Sequence, residues 1–248
     1  MGSLDSFVVC LERMGWFIPP YINMGQLENI LKTSNDNEGK TKEDELCEIL
    51  SEIYSKEILS AIFIEKYKVT PFIKDYINIL DNGIECHFLG LHYASVSSLI
   101  PVIEGVARKL ATHRNVEDKY IKKTVKNLCS SFKSQVVEKK IGDYEEIESM
   151  IDSFEGFVTN KLYSNSNKYP HDDNTNRNGI AHGEYSDMDF GKPVSFYKVI
   201  ALINFLCFLS SIDAGLSWFP PKGSELGDKK SMYFHTCERF STLRSMYS

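Results

Sequence analysis

The feature that most limits how this chain can fold is the run "VIALINFLCFLSSI" at residues 199–212, flanked by Lys198 and Asp213. A bilayer crossing takes about 20 apolar residues. The run is too short for that and reads as a buried helix, expected over about Pro193 to Asp213. A helix apolar on every side has to be enclosed by other elements. The remaining segments supply helices for that purpose. Leu46, Ile49, Leu50 and Ile53 recur at helical spacing from about Lys42, with the helix expected to continue to about Tyr67. Thr70-Pro71 reads as an N-cap followed by proline at the first helical position, with a stripe through Leu80 that stops at Asn82-Gly83. A long helix is expected from about Glu85 to Thr112, kinked or divided at Pro101. Others follow over 117–138 and from about Tyr144 to Leu162, with a short one at 231–245. Residues 34–43 and 163–176 read as polar loops. No segment alternates as a strand does. The expected class is all-α: a helical bundle over 67–218, an N-terminal helical extension over 1–66, and a C-terminal loop and short helix over 219–248.

Apolar residues make up 42% of the chain and charged residues 25%, enough for a core without metals or disulfides. The six cysteines are scattered, with no C-x-x-C and no zinc-like Cys/His spacing. They read as small hydrophobes in a reducing compartment. The start "MGSLDSFVVC" has no basic segment and no long apolar stretch, so the expected location is the cytoplasm, with no membrane partner. Gly2 and Ser6 fit the loose N-myristoylation pattern, as would a cloning remnant. Net charge is −6, yet residues 108–140 hold ten Lys/Arg against three Asp/Glu. That run is either a solvated helix face or a phosphate-tracking surface that includes Lys122, Lys123 and Lys126.

The stretch "NTNRNGIAHGEY" at 174–185 carries the chemistry. Asn174, Thr175 and Asn176 can each cap a helix and Gly183 can end one. Arg177 and His182 then stand at opposite ends of one short segment. Arginine offers a permanent forked cation suited to phosphate, and histidine a proton donor or acceptor near neutral pH. Asn178 adds a neutral donor and acceptor. Arg108 and His113 share the five-residue spacing, but in a continuous helix their side chains diverge, so they read as structural or surface groups. His87 and His92 lack a carboxylate to complete a ligand set and read as core or interface residues. Glu104, on an apolar helix, needs a partner: Arg108 on its own helix, or Arg177 across the bundle.

"NRNGIAHG" resembles the signature motif of the HEPN superfamily, all-α domains that include metal-independent ribonucleases of toxin–antitoxin, abortive-infection and CRISPR systems. "SSLIPVIEGVARKL" (97–110) resembles the long helix that precedes the motif, with Glu104 and Arg108 matching an acid–arginine pair near the cleft. The resemblance covers about residues 70–215. It implies a homodimeric endoribonuclease without cofactor or metal. Two copies of Arg177 and His182 would converge on an RNA phosphodiester, with Asn178 orienting the histidine or the phosphate. Glu104, Arg108, Asn176 and Tyr185 would support them. The products would be a 2′,3′-cyclic phosphate and a 5′-hydroxyl. An antitoxin or other defence-system protein would be a partner. In part of the family a tyrosine two residues after the histidine is modified by a nucleotidyltransferase; here that position is Glu184, and Tyr185 comes one place later. The competing reading is a non-catalytic HEPN-like binding or dimerisation module for nucleotide, RNA or a partner protein. A third is a plain bundle with a polar loop.

Overall fold

The computed structural model describes residues 4–35, 42–187 and 189–247. Gly2, of the myristoylation pattern, and residues 36–41 of the first polar loop lie outside them. Among the described residues every regular element is helical: α1 (Asp5–Arg13), α2 (Met24–Asn35), α3 (Lys42–Ile53), α4 (Lys56–Ile62), α5 (Ile77–Phe88), α6 (His92–His113), α7 (Ile121–Lys139), α8 (Tyr144–Phe157), α9 (Arg177–Ala181), α10 (Pro193–Asp213) and α11 (Glu225–Ser245). A π-helical turn extends α4 over Phe63–Tyr67 and another extends α8 over Val158–Leu162.

α10 is the axis of the molecule. Every residue from Val194 to Ile212 is buried, as a helix without a polar face requires. Pro193 opens it, where a missing N–H costs nothing. α6 and α3 pack directly on α10; α5 and α7 pack on α6, α8 on α7, and α11 on α4 and α5. Phe154 of α8 stacks on Phe205 of α10 at 4.3 Å between centroids, and Phe17 meets both rings edge-on. The segment after α1 therefore lies in the centre, where Trp16 and Phe17 are at most 1% exposed. Buried side chains from Leu4 to Cys237 form a single apolar cluster.

Several boundaries differ from those the sequence suggests. The helix expected over 42–67 breaks at Tyr54-Ser55, where the Ser55 hydroxyl caps α4 by accepting from the Ile58 N–H. Thr70-Pro71 opens no helix: Phe72 is left-handed (φ +65°), a 3₁₀ turn covers Lys74–Tyr76, and α5 begins at Ile77. α5 runs through Asn82-Gly83 without stopping. A Cβ on Gly83 would lie 2.6 Å from Leu99 Cγ, so this glycine permits close approach of α5 to α6. The true break is Gly90 at φ +73°, and Pro101 lies inside an undivided α6. The short helix expected at 231–245 is a full 21 residues. Residues 34–35, expected in a loop, belong to α2.

Candidate active site

Four segments assemble the site: the middle of α6, the turn after the second π-turn, the loop 163–176, and α9. Asn176 starts α9 and is fully buried. Its Oδ1 accepts from the Gly179 N–H at 2.9 Å, while its Nδ2 donates to the Lys161 carbonyl at 3.0 Å and to Ser164. One side chain thereby caps the helix and ties it to the preceding turn. α9 lasts five residues; His182 occupies its C-terminal end, and Gly183 at φ +69° turns the chain away. The brevity of α9 places Arg177 and His182 side by side, with Arg177 Nη1 2.9 Å from His182 Nε2. A guanidinium can only donate, so a hydrogen bond across this contact has Nε2 as its acceptor.

Glu104 of α6 holds the arginine from the other side. Its Oε2 lies 3.2 Å from Arg177 Nη2 and its Oε1 accepts from Arg108 Nε at 3.1 Å. The carboxylate thus serves both arginines that the sequence offered as partners. Arg108 also reaches the Asp118 carbonyl at 3.3 Å and Glu117 at 3.7 Å. Glu104, Arg108 and Arg177 are each partly open, with side chains 22, 31 and 26% exposed. Beneath the guanidinium lies Tyr163, its ring centroid 6.0 Å from Arg177 Cζ and the residue 4% exposed. Burial first, and then the Glu104 charge, push its hydroxyl far above the ordinary phenol range. It stays protonated and is no base.

The Asn178 side chain faces the arginine and the loop, while its backbone carbonyl accepts from the His182 N–H at 3.1 Å. Its Nδ2 donates to the Ser164 carbonyl at 2.9 Å, and its Oδ1 accepts from Arg177 Nη1 at 3.5 Å. It steadies the arginine against the loop. Tyr185 packs its ring over Gly179, where a Cβ would come within 2.2 Å of it, and its hydroxyl donates to the Ser166 carbonyl at 3.1 Å. Glu184 accepts from the Ser166 hydroxyl. Lys122, Lys123 and Lys126 are exposed on α7, apart from the pair. Lys123 is bound to Asp118 at 2.8 Å, and the carbonyl of Asp118 receives Arg108, so the basic helix begins at the edge of the site. Arg108 and His113 do diverge: His113 faces Asp213 at 3.3 Å. His87 is a core residue, stacked on Phe196 at 3.6 Å.

Sequence reasoning missed the support for the loop. Lys198, within α10, is 0% exposed and lies 2.5 Å from Asp173 Oδ2, itself 4% exposed. Asp173 Oδ1 also accepts from the Tyr169 hydroxyl at 3.0 Å and the Thr175 N–H at 2.9 Å, and its carbonyl accepts from Ser195 at 3.1 Å. Burial alone would raise the Asp173 carboxyl; the Lys198 ammonium outweighs it and holds the group at about 2. This pair fastens the loop to the central helix three residues before Asn176. The signal was available, because a lysine inside an apolar helix must have a buried partner.

No group of three or more His, Cys, Asp or Glu among the described residues is placed to hold a metal ion. No protein-family model, curated protein or solved structure matches the chain. What the molecule presents is an all-α bundle with an arginine–histidine pair at its surface, braced by a buried carboxylate–ammonium pair.

Proposed function

We propose that the chain is a metal-independent endoribonuclease of the HEPN kind, acting in the cytoplasm as a homodimer whose two Arg177–His182 pairs share one RNA phosphodiester. The observation that carries this reading is the 2.9 Å contact between Arg177 and His182, with Glu104 holding the arginine at 3.2 Å. A scissile phosphate has the oxygens to take the Arg177 N–H from the histidine, which frees Nε2 for proton transfer. One neutral imidazole then accepts the proton of the ribose 2′-hydroxyl as its oxygen attacks phosphorus. The other histidine, in its protonated form, gives a proton to the departing 5′-oxygen. The phosphorus–5′-oxygen bond breaks, leaving a 2′,3′-cyclic phosphate and a 5′-hydroxyl. The arginines stabilise charge on the phosphorane oxygens, an effect worth about 10²–10³ in rate for one such donor. DNA, without the 2′-hydroxyl, is not cut. A defence-system partner, such as an antitoxin, would keep this activity off until needed.

A binding module is the second reading, favoured by one detail: the Arg177 guanidinium is already engaged on both sides, by Glu104 and by His182. Incubation with labelled tRNA and mRNA in excess EDTA, beside Arg177→Ala and His182→Ala, decides between them. Cutting by the unaltered protein alone, with cyclic-phosphate ends, is the expected result. RNA bound but uncut by every form, together with no toxicity on expression, would establish the module instead.

A further inference from the structure

A narrow cleft of about 120 Å³ lies between α1 and α8, away from the Arg177–His182 pair. A cavity of about 150 Å³ takes one benzene ring, so an occupant here has about six non-hydrogen atoms. Gly156 leaves the room: a Cβ at this position would meet nothing within 4 Å. Val8 and Phe157 supply an apolar lining.

Two donors in this cleft lack acceptors. Trp16 is 1% exposed, yet its indole N–H has no acceptor among the described residues. The Oγ of Ser153 accepts from the Ile18 N–H at 3.2 Å, and its own proton has no acceptor there. Buried polar groups in native proteins have partners as a rule. Two donors left over in one cleft call for an acceptor from outside.

Charge narrows the choice. Lys161 and Glu12 both line the cleft, and neither side chain has a partner among the described residues. Asp152, the third charged group, is taken by Lys133 at 2.5 Å. One cation and one anion remain. A simple carboxylate would face Glu12 uncompensated, and a simple amine would leave Lys161 and both donors unused. A carboxylate and an ammonium on one small molecule answer all four groups. The carboxylate accepts from Trp16, Ser153 and Lys161, and the ammonium donates to Glu12.

We propose that this cleft binds a small α-amino acid, glycine or alanine, as its zwitterion. The alanine methyl rests on Val8 and Phe157. The site does not depend on RNA cleavage. Lys161 is also the residue whose carbonyl anchors Asn176, at 3.0 Å, so an occupant touches the turn that holds the Arg177–His182 segment.

Calorimetric titration of the full chain with glycine and alanine tests it, beside propionate and ethylamine, each of which keeps one charge of alanine. One alanine per chain is expected, with a Kd below about 1 mM, and propionate and ethylamine should bind at least about 10-fold more weakly. Gly156→Leu, which fills the cleft, should abolish binding. Lys161→Met and Glu12→Gln should each weaken it about 10-fold or more with helical content unchanged. No saturable binding of either amino acid at about 10 mM overturns the proposal. So does alanine binding that survives Lys161→Met, Glu12→Gln and Gly156→Leu alike, which places it elsewhere. Propionate or ethylamine binding as tightly as alanine overturns it too, since the site would then read a single charge.

Discussion

Lys198 is a single residue on which the geometry of the candidate site rests. Replacing it with methionine leaves the Asp173 carboxylate buried without its cation, an arrangement that costs about 3–5 kcal/mol. Urea denaturation should register that loss, and Lys198→Met combined with Asp173→Asn should recover most of it. Acid should act on the same loop in two stages. His171 is held at about 4, first by burial and then by the Lys198 charge. Between about pH 6.5, the ordinary imidazole value, and 4, the unfolded chain binds a proton that the folded one does not, so stability falls as pH falls. From about pH 4 to 2 the Asp173 carboxylate, ionised in the folded chain, adds a second loss of the same sign. The urea midpoint should therefore decline continuously from neutral pH, and His171→Phe should flatten only the upper part. The Arg177–His182 pair was legible because both residues stand within one short polar segment. Asp173 was not, because a loop aspartate looks like any solvated charge until its partner 25 residues later is placed beside it.

At the scale of elements, the helices themselves were readable and their ends were not. Periodicity reports which face is buried, and it continues across a break if both halves bury the same face. That is why α3 and α4 read as one helix across Tyr54-Ser55, and why Gly83 reads as the stop that Gly90 provides. Glycine ends some helices and lets others touch, and only the neighbour tells which. Gly83→Ala should cost about 1–3 kcal/mol by forcing α5 off Leu99. Gly156→Ala is the control: it lies in α8 with nothing within 4 Å of the added carbon, and should stabilise by about 0.5–1 kcal/mol through helix propensity. Equal effects in thermal melts of the two variants would show that the α5–α6 contact is looser than described. α11 reads as too short for a related reason, since its apolar residues fall on two faces and the buried stripe alone marks only part of it.

For the whole molecule, the uneven charge is the property that matters. The basic run on and around α7 sits on a chain whose net charge is −6, beginning where Asp118 meets Arg108. If RNA follows that helix toward the cleft, changing Lys122, Lys123 and Lys126 to glutamate should weaken RNA binding. It should also reduce the slope of log affinity against log salt by about two, roughly 0.7 for each single-strand phosphate that is no longer neutralised. Unchanged affinity would mark the run as a solvated face. The all-α class was legible at this scale because the 199–212 run requires a shell around it and every segment available to build that shell repeats with helical rather than strand spacing.

The fastening of loop 163–176 to α10 has a consequence for control. The loop cannot peel away without stranding an ammonium in the centre of the protein, so it opens only when the whole bundle opens. Amide hydrogens around Thr175 and Gly179 should then exchange as slowly as those of α10 itself. A regulator facing such a turn has no disordered state to exploit. It must work as a cover, blocking access to Arg177 and His182 while the turn beneath it keeps its shape.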